Sequence, residues 1–95
     1  MSKYQVMLRG ENFEIYLDNQ LKNLGFYTTR IVKGNSENEA EKKAVDLIKN
    51  DKRLLSMMKI DSRLTPKIYL ETIDSVPWWK RTGGKGYTFW PMEGE

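Results

Sequence analysis

The chain has 95 residues, a formal net charge of +3, 39% hydrophobic and 31% charged residues, and neither cysteine nor histidine. That length gives one core and leaves no room for a second, so a single domain over residues 1–95 is expected. The two missing residue types exclude disulfide staples, thiolate metal sites, a cysteine nucleophile and every histidine-dependent triad or zinc site.

The segment KYQVMLR, residues 3–9, is rich in β-formers, and FEIYL, residues 13–17, alternates Phe13, Ile15 and Leu17 against Glu14 and Tyr16. Gly10-Glu11-Asn12 between them predicts a hairpin turn. Residues 18–23 read as a polar loop, and Gly25 to Lys33 as a third strand. In that strand Thr28, Arg30 and Val32 share one face, which places Arg30 on the open side of the sheet, where it could meet an anionic ligand or snorkel over apolar surface.

Gly34-Asn35-Ser36 ends the strand, and Ser36 followed by Glu39 has capping-box spacing. Ala40, Ala44, Leu47 and Ile48 recur at helical spacing, Glu37, Glu39 and Glu41 lie in the opening turns, and Lys49 lies at the far end. A helix to about residue 50 follows. Leu54, Leu55, Met57 and Met58 extend it or form a second short helix that plugs the edge of the core. Lys67 to Val76, between Pro66 and Pro77, predicts another strand. Tyr87 to Met92 predicts a last one, which Pro91 assigns to an edge.

The expected fold is therefore α+β: a two-layer antiparallel sheet in β-β-β-α-β-β order with one main helix packed on one face. The stretch from Tyr4 to Ile48, through Gly25, Gly34 and SENEAEKKA, resembles the opening of HicB-type antitoxin domains. Many small β-β-β-α units share that pattern, and no function is carried over from it.

The most unusual segment is WWKRTGGKGYTFW, residues 78–90, which holds all three tryptophans with Lys80, Arg81 and Lys85 and no acid. Aromatic faces stack on bases and interleaved cations meet phosphates, so the segment suits single-stranded nucleic acid. Lys85-Gly86-Tyr87-Thr88-Phe89 resembles the start of the RNP1 motif of RNA-recognition domains. Thr88, Trp90 and Met92 depart from it. Two other readings are open: Trp78 and Trp90 as core blocks closing the sheet, or an exposed aromatic edge covered by a second copy. Gly84-Lys85-Gly86 fails the phosphate-loop pattern, since position 79 is Trp79 and no hydroxyl follows the lysine. Asp61, Glu71 and Asp74 lack metal-loop spacing.

No catalytic set, metal site or cofactor site is read. The expectation is a non-enzymatic interaction module working by protein–protein contact or homodimerisation, through an open sheet face or the aromatic C-terminal segment. Its candidate residues are Arg30, Trp78, Trp79, Lys80, Arg81, Lys85, Tyr87 and Phe89. Single-stranded nucleic acid binding through residues 78–90 is the alternative, and a pI near 9.2 is compatible with it. With no signal-peptide core and no long apolar run, no membrane partner is expected, and the location expected is cytoplasmic.

Overall fold

In the computed structural model, which describes residues 2–59, 64–80 and 86–92, the first two thirds of the sheet are one long hairpin. Strand β1 (Ser2–Leu17) pairs antiparallel with β2 (Gln20–Gly34) along its whole length. Helix α1 (Glu37–Lys49) follows, then a short α2 (Lys52–Met57), an outer strand β3 (Lys67–Val76) and a second outer strand β4 (Thr88–Pro91). The strand order across the sheet is β3-β1-β2-β4, all neighbours antiparallel.

The α+β class and the antiparallel sheet agree with the sequence reading, but the order is β-β-α-α-β-β. The expected turn at Gly10-Glu11-Asn12 does not reverse the chain. It is a bulge inside β1, where the register jumps from Gly10 opposite Phe26 to Phe13 opposite Leu24 and Asn12 takes a left-handed φ of 62°. The reversal falls at Asp18-Asn19, with φ of 51° and 64° between paired Leu17 and Gln20. Two successive left-handed residues are what a two-residue hairpin loop needs to match strand twist, and Asp and Asn tolerate that region. Residues 20–23, read as loop, therefore belong to β2.

The bulge has a packing reason on each side. A side chain at Gly10 would collide with the Phe26 ring, and one at Gly25, beside the bulge on β2, with the Trp90 indole. Glycine at both positions lets large rings lie flat on the strands.

The core lies between the sheet and the helices. Val6, Leu8, Phe13 and Ile15 of β1 and Leu24, Phe26 and Val32 of β2 face Ala40, Ala44 and Ile48 of α1 and Leu54 of α2. Alanines on the inner helix face let the helix lie close to β2. Leu47, expected on that face, is half exposed instead. The serine half of the predicted cap forms, Ser36 Oγ accepting from the Glu39 N–H at 3.2 Å, while Glu39 Oε1 accepts from the N–H of Asn35, one residue before the cap, at 3.1 Å. Asp51 starts α2 in the same way, its Oδ1 accepting from the Arg53 N–H at 2.9 Å. Leu54 plugs the core from α2, while Leu55 points away from it. No helix among the described residues is long and apolar enough to cross a membrane.

Candidate interaction surface

The residues singled out in the sequence divide between the two edges of the sheet. On the β4 side, Tyr87 and Phe89 pack edge-on against Phe26, with ring centroids 5.0 and 6.1 Å away, and Phe13 closes the cluster at 4.8 Å. These rings face the core. Trp90 lies on the other face, stacked on Tyr27 at 4.7 Å.

Arg30 does not face the open side of the sheet. Alternation from Phe26 through Thr28 to Val32 puts it on the core face, only 7% exposed. Its Nη1 donates to Thr28 Oγ1 and to the Thr29 carbonyl at 2.9 Å, its Nη2 lies 3.9 Å from Asp51 Oδ2, and its guanidinium sits 5.2 Å from the centre of the Tyr87 ring. The Thr28 hydroxyl in turn donates to the Gly86 carbonyl at 2.8 Å. The charge is tolerated at this depth because a carboxylate, a hydroxyl, a carbonyl and an aromatic face surround it.

Asp51 joins this cluster to the helices. The Tyr87 hydroxyl donates to Asp51 Oδ2 at 2.7 Å. That bond, chiefly, holds the Asp51 carboxyl below its ordinary value of 3.8; partial burial opposes it, and the Arg53 and Leu54 amides and the Arg30 charge assist it. Burial, followed by the bond to Asp51, pushes the Tyr87 phenol well above its ordinary 10.0. The cluster is a closed structural clamp between β4 and the α1–α2 junction.

The β3 side is different. Trp78 is 83% and Trp79 66% exposed, in a turn immediately after β3 that is closed by the Lys80 N–H donating to the Pro77 carbonyl at 3.0 Å. Trp78 does not close the sheet. Lys80 is exposed and its carbonyl accepts from Lys3 Nζ at 2.7 Å. Arg81 and Lys85 lie outside the described residues. The structure thus brings together Arg30, Tyr87 and Phe89 in one place and Trp78, Trp79 and Lys80 in another.

Sequence reasoning missed two features. One is a row across the open sheet face: Tyr69 of β3, Arg9 of β1 and Tyr27 of β2 are cross-strand partners, and Trp90 stacks on the last. Arg9 lies 4.9 Å from the Tyr69 ring centre and is ion-paired with Glu11 at 3.2 Å and Glu71 at 2.9 Å. Strand alternation in residues 67–76 carried the signal for Tyr69. The other is an apolar groove of about 400 Å³ between α1, α2 and β3, walled by Ile48, Leu54, Leu55, Met58, Ile68 and Tyr69. Among the described residues its charged lining is Lys49 and Lys67.

Comparison with protein-family models, with curated proteins and with solved structures finds no match to this chain.

Proposed function

We propose that the chain is a non-enzymatic protein-interaction module that works from the β3 side of its sheet. One observation carries this reading: two adjacent tryptophans stand exposed at one end of an outer strand whose other end borders an apolar groove. Indole area of this size left in water is characteristic of surfaces that a partner covers, and tryptophan is the residue most enriched at the energetic centres of interfaces.

The electrostatics favour a protein over single-stranded nucleic acid. Arg9, the cation among the open-face rings, is matched by two carboxylates, so that row offers phosphate no net positive charge. Arg30, Tyr87 and Phe89 are engaged in the clamp and core. Of the basic–aromatic run, Trp78, Trp79 and Lys80 are the described members that stand exposed.

Tryptophan emission tests the choice. At high dilution it should contain a strong red-shifted component from Trp78 and Trp79, and mixed-sequence single-stranded RNA or DNA should leave it unchanged at low and at moderate salt. Quenching by oligonucleotide that salt reverses would overturn the protein-contact reading.

A further inference from the structure

We infer that the partner is a second copy of this chain, joined edge to edge through β3, with the Trp78–Trp79 turn of each copy laid against the apolar groove of the other. This rests on the β3-side reading above and adds the identity and geometry of the partner.

Strand β3 is bonded to β1 along one side, and among the described residues no strand pairs with its other side. Prolines stand before and after it, at Pro66 and Pro77, and none lies within it. Such an edge is a template for another strand.

The bulge in β3 decides which register a self-pairing can take. Lys67 and Tyr69 lie opposite Glu11 and Arg9, whereas Thr72, Asp74 and Val76 lie opposite Met7, Gln5 and Lys3, with a register shift between the two groups. All five therefore share the open face, although Lys67 and Asp74 are an odd number of residues apart and would face opposite ways on a regular strand. A two-fold antiparallel pairing can then set Lys67 against the second copy's Asp74, Ile68 against its Ile73 and Tyr69 against its Thr72, each pair on a common face. Symmetry forms every pair twice. Glu71, near the dyad, is turned onto Arg9 of its own sheet at 2.9 Å, which removes a like-charge conflict there.

In this register Val76 falls opposite the second copy's Thr65. The Pro77–Lys80 turn then starts opposite its Leu64, two residues from Pro66, which lines the groove. Lys49 in that lining is suited to the face of an arriving indole, and no acid lines the groove among the described residues. A strand pair alone is a small interface. Four indoles at roughly 150–250 Å² each supply a large part of the roughly 1,200–2,000 Å² of a stable one.

Sedimentation velocity of the full chain, from low to high micromolar concentration, is the test. The wild type should dimerise. Lys67→Asp and Asp74→Lys should each weaken the homodimer by about tenfold or more, because each sets like charges opposite one another twice. An equimolar mixture of the two variants should form a heterodimer, since both pairs become complementary; circular dichroism checks that each is folded. Trp78→Ser with Trp79→Ser should weaken the wild-type dimer by at least as much. A wild type that stays monomeric throughout, or charge variants that fail to rescue one another, overturns the proposal. A monomer whose emission ignores oligonucleotide removes the second copy and leaves the protein-contact reading standing. Salt-reversible quenching by oligonucleotide removes that reading itself.

Discussion

The two outer strands of this sheet end in opposite states, although both adjoin the same aromatic-rich stretch of chain. At β4 the rings of Tyr87 and Phe89 are turned inward onto Phe26, and a hydroxyl, a carboxylate and a guanidinium are consumed around them. At β3 the strand is longer and the two indoles that follow it stand in water, although the outer side of each strand is unpaired among the described residues. The difference is one of position. β4 lies beside Phe26 and Arg30, which offer both an apolar wall and a polar terminus for Tyr87. The turn after β3 lies at the end of the sheet beside Lys3, with no comparable wall. By composition residues 78–90 look like one unit, but the fold puts the described ones, 78–80 and 86–90, in two places.

The largest effect is expected from removing the wall itself. Phe26 is fully buried and in contact with Phe13, Tyr87 and Phe89. Phe26→Ala should cost about 3–5 kcal/mol in urea unfolding, loosening β4 far more than β3. Hydrogen exchange should show the Thr88–Trp90 amides losing protection first. Equal loss at both edges would mean that β4 is not anchored by this ring.

Much of this arrangement was legible beforehand. The α1 cap at Ser36 and Glu39, the Ala40–Ala44–Ile48 stripe and the edge position of Pro91 followed from local rules. The hairpin turn is ambiguous in the sequence because Gly-Glu-Asn and Asp-Asn are both turn chemistry. What separates them is the close approach of Phe26 to Gly10 and of Trp90 to Gly25, which are contacts made across strands. Alternation groups Arg30 with Thr28 and Val32, as the structure does, but that set is the inner one. Nothing in a local pattern announces that Asp51 and Tyr87, far apart in sequence, will neutralise an inward arginine. For the same reason the split of residues 78–90 was hidden: strand order decides it, and strand order is not local.

A smaller effect should isolate the polar half of the clamp. Tyr87→Phe and Asp51→Asn should each cost about 1–2 kcal/mol. The double variant should cost less than the sum, because both lose one bond. The pH dependence has a definite sign. Asp51 titrates lower in the folded chain than the ordinary 3.8, so its contribution is present above that value and is lost as pH falls below it. Tyr87 titrates higher than the ordinary 10.0, so its contribution is present below that value and is lost as pH rises past it. Wild type and Asp51→Asn should therefore converge in stability below about pH 4, and wild type and Tyr87→Phe above about pH 10. A gap that stays constant across both windows would mean the bond carries no linkage.

The smallest effect on folding is expected at the other edge. Trp78 and Trp79 bury little of their area within the chain, so Trp78→Ser and Trp79→Ser should each change the stability of the dilute chain by no more than about 0.5 kcal/mol. That near-silence gives the comparison its force. A tryptophan is large enough that, placed in the core as Phe26 is, its loss would rank among the most damaging substitutions available. If these two variants unfold at the wild-type denaturant midpoint at low protein concentration yet lose the concentration-dependent stabilisation that association adds, their indoles act between molecules. If instead they lower the midpoint at every concentration by the same several kcal/mol, the turn after β3 is packed as firmly as β4. The two edges would then be alike, and the case for a partner on the β3 side would fall with the contrast that supports it.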